Sequence, residues 1–107
     1  MNPESALEEL LAKLGNELNE CDERVIGETT ITNATFWMYD EHDDLRLSKV
    51  NDDEYDFTVD MQICGEQIED KPCCGDVLKF KMKGKMIRTN QKWEIEDYEV
   101  SDMKLNS

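Results

Sequence analysis

The sequence lacks any long apolar run, and no stretch approaches the roughly 18 residues that a membrane-spanning helix requires. Residues 1–10 carry no basic residue and no apolar block, so we expect no secretory signal and a cytoplasmic protein. A single histidine and five scattered glycines cannot form a histidine relay or a glycine-rich phosphate loop. Because no catalytic motif is present, we expect a protein that is not an enzyme and that holds no cofactor.

Cysteine is present, but not with the spacing of a metal site. No two of the four cysteines are arranged as C-x-x-C, and the adjacent Cys73 and Cys74 cannot easily supply two corners of a tetrahedral zinc site. In a chain without a secretion signal we expect four reduced thiols, with Cys21 and Cys64 packed and the adjacent pair in a loop. The sequence therefore predicts no metal centre built on cysteine.

The other candidate ligands are carboxylates and one imidazole. Segments 40–44 and 51–56 are rich in the oxygen ligands that calcium prefers, but neither has the glycine and glutamate positions of an EF-hand loop. His42 lies in the sequence Asp-Glu-His-Asp-Asp, and a lone histidine among carboxylates is most simply a solvated loop residue. We therefore expect no metal.

Basic residues are scarce, and the charge balance is the most informative property of the chain. The 26 acidic residues outnumber the 12 basic ones, which gives a formal net charge of −14. Only segment 71–93 has the opposite sign, with seven basic residues and one acidic residue. A surface this negative repels nucleic acids and anionic membranes and attracts basic proteins. We therefore expect no direct binding to nucleic acid or to membranes.

The N-terminal segment has the pattern of one amphipathic helix over about residues 3–20. Asn2 can cap its start, and Pro3 suits the first helical position because the N–H that proline lacks would have no partner there. Leucines at spacings of three and four define one apolar stripe: Leu7, Leu10, Leu11, Leu14 and Leu18. A partner-binding helix would have the same stripe, but the strands that follow have an apolar face that must be buried against another element. We therefore expect the helix to pack on a sheet.

The rest of the chain alternates apolar and polar residues with the period of two that indicates strands. The predicted strands cover about residues 28–39, 44–50, 54–64, 76–88 and 92–103, with a turn at 89–91 and a bulge near Glu96–Asp97. Because no helix separates them, these strands must form an antiparallel meander. We expect a single α+β domain over residues 1–107: an N-terminal helix on a curved, four- or five-stranded antiparallel sheet with a cystatin-like or open-barrel layout.

The fourth predicted strand carries lysines at alternate positions, a pattern that also occurs in sheets that bind phosphate. If strands 54–64 and 76–88 pair with their apolar faces matched, the paired residue numbers sum to 141, which places Asp60 opposite Lys81. The lysines then neutralise an acidic sheet. The pairing therefore argues against recruitment of phosphate.

The acids without lysine neighbours are predicted to lie in loops. In the expected meander, segments 40–44 and 66–70 lie at the same end of the sheet and form one negative patch. Such a surface can occupy the place of phosphates on a basic, nucleic-acid-binding partner. We therefore expect a small acidic inhibitor that mimics nucleic acid, like the anti-restriction and anti-CRISPR proteins of phages and mobile elements or the immunity proteins. The predicted partner-binding residues are Asp40, Glu41, Asp43, Asp44, Asp52, Asp53, Glu54, Glu66, Glu69 and Asp70.

Two other functions stay open on the sequence alone. One is a ligand-binding or enzymatic cone whose pocket lies between helix and sheet, although a plain core would use the same residues. The lining of that pocket would be Trp37, Phe57, Met61, Met82 and Trp93. The other is a structural homodimer that pairs through an exposed strand edge. The inhibitor hypothesis predicts a monomer or small homodimer, because like charges oppose larger assemblies.

Overall fold

Four long strands dominate the structure. The computed structural model describes residues 2–30, 34, 36–66 and 76–106. Its elements are α1 Pro3–Gly15, α2 Leu18–Cys21, α3 Glu23–Thr29, β1 Phe36–Asn51, β2 Glu54–Glu66, β3 Val77–Thr89 and β4 Lys92–Asn106. The strands form one antiparallel sheet in the order β1-β2-β3-β4, which does not close on itself. The predicted α+β architecture, a helical N-terminal region with a four-stranded meander, is confirmed.

The first helix begins at its predicted cap and ends early. The side chain of Asn2 accepts a hydrogen bond from the N–H of Ser5 at 2.8 Å, which satisfies one free donor of the first turn. At the other end, Gly15 lies so close to β1 that a Cβ atom there would be 2.8 Å from the Cβ of Tyr39. Glycine permits this approach, and α1 ends at Gly15 instead of continuing to about residue 20.

Two short helices replace the end of the single predicted helix. Asp22 separates them and caps α3, since its carboxylate accepts from the N–H groups of Arg24 and Val25. The guanidinium of Arg24 donates to the carbonyl oxygen of Val100 at 2.7 Å, which fixes α3 beside the edge strand β4. Residues 28–29, predicted as the start of the first strand, belong to α3.

The apolar stripe of α1, continued by Leu18 of α2, packs on one face of the sheet, which we call the inner face. Leu7, Leu11 and Leu18 are fully buried. They share a core with the alternating apolar residues of the central strands: Phe57, Val59, Met61, Ile63, Leu78, Phe80, Met82 and Met86. Burial of each such side chain is worth about 1.5–3 kcal/mol. The leucine stripe therefore packs on the chain's own sheet, as the sequence predicts.

The central hairpin, formed by β2 and β3, has the predicted register. Every residue pair between the two strands sums to 141, so Ile63 faces Leu78 on the inner face and Asp60 faces Lys81 on the opposite, outer face. A slip of one residue would turn every side chain of a strand to the wrong face. The apolar alternation of both strands therefore determines the pairing.

The first strand differs from the prediction. The segments expected as two strands, 28–39 and 44–50, are replaced by the single strand β1, which begins at Phe36. The acidic segment 40–44, expected as the turn between them, lies inside this strand and pairs with the middle of β2. The segment stays part of β1 although Asp44 has a left-handed backbone, so composition alone did not distinguish this bulged strand from a turn.

Both edge strands contain β-bulges, whereas the central hairpin has none. The register of β1 shifts at three places against β2, and that of β4 shifts at two places against β3. One shift in β4 lies at Glu96–Asp97, as the sequence predicts. Asp44 in β1 and Asp102 in β4 have φ of 51° and 53°, the left-handed conformation that one class of bulge requires. Bulges twist a strand and make a sheet edge a poor template for further pairing.

The turn between β3 and β4 is also where the sequence predicts it. Thr89 pairs with Lys92, which leaves a loop of two residues, Asn90 and Gln91. Their φ angles are 54° and 66°. Positive φ at both central residues is the requirement of the type I′ turn, which matches the twist of a hairpin.

The expectation of four reduced thiols is wrong. Cys64, near the end of β2, is buried and disulfide-bonded, and its partner lies outside the described residues. Cys21 is a free thiol but is exposed, where the sequence predicts a packed one. A native disulfide typically contributes about 2–4 kcal/mol to stability. The spacing of the cysteines argued against a metal site, but it gave no information on the disulfide bond of Cys64.

A substitution at Gly84 tests the packing of the inner face. It lies opposite Phe57, and a Cβ atom at Gly84 would be 2.8 Å from the Phe57 ring and 2.5 Å from the carbonyl oxygen of Asp97. We expect Gly84→Ala to lower the free energy of unfolding by about 1–3 kcal/mol, because the backbone oxygen cannot move away cheaply. Urea denaturation followed by circular dichroism measures the change.

Gly27→Ala is the matched control. Gly27 lies in α3, and a Cβ atom there would meet nothing within 4 Å. This substitution should leave stability unchanged or raise it by up to about 1 kcal/mol through helix propensity. Equal losses of stability in both variants would contradict the described contact between Phe57 and Gly84.

Candidate functional site: the acidic edge

Four of the predicted binding residues lie together on the edge strand β1. Asp40, Glu41, Asp43 and Asp44 are all exposed, and we call these four residues the acidic edge. Within the described part of the chain, β1 pairs with β2 and is the outermost strand. A site on a strand is held more precisely than a site on a loop. The four carboxylates therefore have more definite relative positions than the predicted turn would give them.

A bulge determines which way the side chains of the acidic edge point. The register of β1 shifts by one residue just before Glu41, so that His42 lies opposite Met61 and faces the interior. Its neighbours Glu41 and Asp43 therefore lie on the outer face. Without the extra residue, the alternation would turn both carboxylates inward and His42 outward. The bulge thus allows an acidic segment to remain in the strand.

His42 is not the solvated loop residue that the sequence predicts. Its side chain is 19% exposed, and its Nε2 lies 3.6 Å from a carboxylate oxygen of Glu8 on α1. Its Nδ1 lies 2.6 Å from the phenol oxygen of Tyr39. The N–H of Tyr39 donates to the side chain of Asn16 at 2.8 Å, just after α1. These contacts fix α1 against the acidic edge.

The negative charges around Tyr39 have a measurable consequence. Burial and the nearby carboxylates of Glu8, Asp40 and Glu41 raise the pKa of Tyr39 above its ordinary value. The phenol oxygen of Tyr39 and Nδ1 of His42 share one hydrogen bond, and Nε2 of the same imidazole faces Glu8 on α1. Tyr39 and His42 thus link the acidic edge to the helix.

Most of the acidic edge has no neutralising partner. Asp44 forms an ion pair with Arg46 at 3.1 Å, but both side chains are largely exposed, so the pair adds little stability. Asp40 accepts a hydrogen bond from the amide of Gln62. Within residues 2–30, 34, 36–66 and 76–106, no ion pair involves Asp40, Glu41 or Asp43. Their charges are available to a partner.

A second group of predicted binding residues, at the turn between β1 and β2, is neutralised. Asp52 pairs with Lys49 at 2.8 Å, Asp53 with Arg88 at 2.8 Å and Glu54 with Lys85 at 3.3 Å. The hydrogen bond and charge of Lys49 lower the pKa of Asp52. At about 3.3 Å per residue, this turn lies roughly 20 Å along β1 from the acidic edge. The predicted set therefore divides into two separate groups.

The remaining predicted binding residues cannot be placed. Glu66 ends β2 and its backbone pairs with Phe36, but its side chain is not described, and Glu69 and Asp70 lie outside the described residues. We expected segments 40–44 and 66–70 to form one patch at the end of the sheet, but 40–44 does not lie at an end of β1. Segment 40–44 lies in the middle of its strand.

Sequence reasoning missed the surface beside the acidic edge. A concavity of about 560 Å³ lies on the outer face, and charged residues from all four strands contribute to its lining. Those residues are Glu41, Asp43, Asp60, Lys79, Lys81, Asp102 and Lys104. The register of the central hairpin predicts the approach of Asp60 to Lys81. The contribution of β4 depends on its bulges, only one of which the sequence indicates.

The apolar residues proposed to line a pocket between helix and sheet form part of the core. Trp37, Phe57, Met61 and Met82 are at most 7% exposed, and the half-buried Trp93 packs against them. In the described part of the chain, no cluster of three or more His, Cys, Asp or Glu could hold a metal ion. No helix in that part is both long enough and apolar enough to cross a membrane.

Comparison with protein-family models, with curated proteins and with solved structures finds no significant match for the chain. The geometry of its own side chains therefore carries the functional inference.

The contact between Tyr39 and His42 leads to a prediction about stability. Tyr39→Phe removes the hydrogen bond to Nδ1 of His42 and should lower the free energy of unfolding at pH 7 by about 1 kcal/mol. The loss should be absent when His42→Ala is already present, because the phenol then has no partner. Urea denaturation of the two single variants and the double variant measures this coupling. Additive losses would contradict the described hydrogen bond.

The raised pKa of Tyr39 also predicts a pH dependence. The folded protein holds the phenol proton more tightly than the unfolded chain, so this group stabilises the fold below its ordinary pKa of about 10. That stabilisation is lost as the pH rises from about 10 through the higher pKa of the folded state. We expect the stability of the wild-type chain to fall more steeply above pH 10 than that of Tyr39→Phe. Parallel slopes in urea denaturation between pH 9 and pH 11 would refute this assignment.

Proposed function

We propose that this chain is a small, non-enzymatic inhibitor that docks the acidic edge on a basic, nucleic-acid-binding protein. The carboxylates of the acidic edge take the positions that phosphates would occupy on the partner. The observation that supports this proposal most strongly is the contrast between the two acidic groups of the chain. The acids at the turn between β1 and β2 are paired with nearby bases, whereas Asp40, Glu41 and Asp43 are exposed and form no ion pair within the described residues.

The charge density of the acidic edge suits this role. Four carboxylates occur within five consecutive residues of β1, which at about 3.3 Å per residue is roughly 16 Å of chain. One strand of a nucleic acid carries a phosphate about every 3.4 Å along its axis, or about five over the same length. A basic surface that binds nucleic acid would therefore meet a comparable number of negative charges over that length.

The chain's overall charge supports the same class of partner. A net charge of −14 accelerates encounter with a basic surface and discourages binding to DNA, RNA or anionic lipid. Inhibitors of restriction or CRISPR systems from phages and mobile elements, and immunity proteins against basic nucleases, are the classes that fit. We propose a monomer or a small homodimer as the active species, in a cystatin-like or open-barrel layout of sheet and helix, although the layout itself carries no function.

The disulfide at Cys64 bears on where such an inhibitor acts. A cytoplasmic setting is the proposal that follows from the sequence, but disulfide bonds persist mainly in oxidising compartments. Thiol titration of protein prepared without added reductant distinguishes the two settings. A disulfide that resists reduction at the cytosolic glutathione potential would favour an oxidising compartment.

The two alternative functions receive less support. The residues of the proposed ligand pocket are packed in the core. A homodimer through a strand edge must overcome the bulges and charges of β1, and bulges also interrupt β4. The acidic edge is therefore the surface on which we base the test.

The test compares two variants with equal changes of charge. In one, the unpaired acids are neutralised by Asp40→Asn, Glu41→Gln and Asp43→Asn. In the other, the paired turn acids are neutralised by Asp52→Asn, Asp53→Asn and Glu54→Gln. Three removed negative charges change the net charge of each variant from −14 to −11. The wild-type chain and both variants serve as bait in a lysate of the source organism or its host, at physiological and at high salt.

We expect the wild-type bait to retain one basic, nucleic-acid-binding protein that added DNA or RNA displaces. Neutralising the acidic edge should weaken this binding by about tenfold or more, while neutralising the turn acids should change it by less than about threefold. Circular dichroism checks that both variants are folded. Equal weakening in the two variants, or retention of a mixture of proteins that moderate salt removes, would contradict the proposal.

A further inference from the structure

The outer face of the sheet has two different arrangements of charge. Near the turn between β1 and β2, acids and bases alternate: Lys83 faces Glu99 across β3 and β4, and Lys85 faces Asp97. Alternation of this kind stabilises a sheet, by about 0.2–1 kcal/mol for each directly opposed pair. This part of the outer face needs no partner to balance its charges.

Beside the acidic edge, like charges also lie opposite each other, although Asp60 faces Lys81 across β2 and β3 and Asp102 lies on β4 beside the lysines. Asp43 on β1 lies opposite Asp60 on β2. Lys79 on β3 lies opposite Lys104 on β4. Directly opposed like charges destabilise a sheet by about as much as unlike charges stabilise it. The fold thus accepts two unfavourable pairs within one small region.

Both like-charged pairs line the same concavity. This open concavity of about 560 Å³ is lined by Asp43 and Asp60 on one side and by Lys79 and Lys104 on the other, with Glu41, Lys81 and Asp102 also in its lining. Its volume is within the range of about 300–1,000 Å³ that is typical of small-molecule sites. Within the described residues, no ion pair involves any of these four side chains. Strands about 4.8 Å apart and a rise of about 3.3 Å per residue put the centres of the two pairs roughly 12 Å apart.

We propose that this concavity, which we call the dipolar site, binds a segment of the partner that carries basic side chains followed by acidic ones. The basic side chains lie against Glu41, Asp43 and Asp60, and the acidic ones lie against Lys79 and Lys104. Charge complementarity on both sides offsets the repulsion within each like-charged pair. This inference rests on the proposed function, because it extends the acidic edge to its neighbouring lysines.

The dipolar site limits the kinds of protein that could be the partner. A surface that binds only phosphates is uniformly basic and would be repelled by Lys79 and Lys104. A metal-dependent nuclease centre has both parts, since the carboxylates that hold its divalent ions lie beside the basic groups that hold the phosphates. The inferred partner is therefore a protein whose basic site adjoins a group of carboxylates.

The test uses two synthetic peptides that do not depend on knowledge of the partner. One is Lys-Lys-Gly-Gly-Glu-Glu, whose charge centres are about 13 Å apart when extended. The other is Lys-Lys-Gly-Gly-Gln-Gln, which keeps the basic end alone. Both have blocked ends. Titration of the ¹⁵N-labelled chain, followed by amide chemical shifts, gives the affinity of each peptide and the residues it approaches.

We expect the wild-type chain to bind the dipolar peptide about three- to fivefold more tightly than the basic one, with shifts on β1, β3 and β4. Lys79→Gln with Lys104→Gln should remove or reverse this preference. Lys83→Gln with Lys92→Gln removes the same charge elsewhere and should preserve it. Lys79→Gln with Lys104→Gln should unfold at or above the wild-type midpoint, because it removes a like-charged pair. The control loses the favourable opposition of Lys83 and Glu99 and should unfold at a slightly lower midpoint.

Equal or tighter binding of the basic peptide by the wild-type chain would overturn the dipolar site and leave the proposed function intact. Binding of neither peptide would also overturn it. The proposed function has its own contradicting result: the partner still binds after Asp40, Glu41 and Asp43 are neutralised. The two ideas can therefore fail independently.

Discussion

The pairing of β2 with β3 is the constraint on which the rest of the structure depends. Each strand alternates apolar and polar residues without interruption, so only one register buries Met61, Phe80 and their apolar neighbours together. That register also sets Asp60 beside Lys81 on the outer face. The inner face receives the leucines of α1, and the outer face keeps its charge in water. Both the core and the candidate site follow from this one hairpin.

The edge strands adapt to the regular hairpin by means of bulges. The extra residues in β1 turn His42 inward toward Tyr39 and Glu8 and leave Glu41 and Asp43 outside. Bulges and exposed carboxylates also protect the edge from adding further strands. The bulges that leave these carboxylates exposed for the proposed partner are therefore the same ones that make the edge a poor template for further pairing.

The sequence predicted what depends on alternation, including the bulge at Glu96–Asp97, and missed the changes of register in β1 and near Asp102. The central hairpin, its lysine row and the turn at Asn90 could be read from a period of two and from turn chemistry. A bulge leaves little trace in composition, so 40–44 looked like a turn and His42 looked solvated. Lys79 lies opposite Lys104 because the register of β4 shifts by one residue near Asp102. The left-handed backbone of Asp102 could not be predicted from the sequence pattern. The disulfide of Cys64 could not be inferred from cysteine spacing either.

Carboxylate footprinting of the complex tests the central claim most directly. Exposed acids are coupled to an amine with a carbodiimide, before and after the partner binds, and mass spectrometry measures the labelling of each residue. The account predicts that the partner protects Asp40, Glu41 and Asp43, while Asp52, Asp53 and Glu54 are labelled to the same extent in both states. Protection of the turn acids with continued labelling of the acidic edge would contradict it.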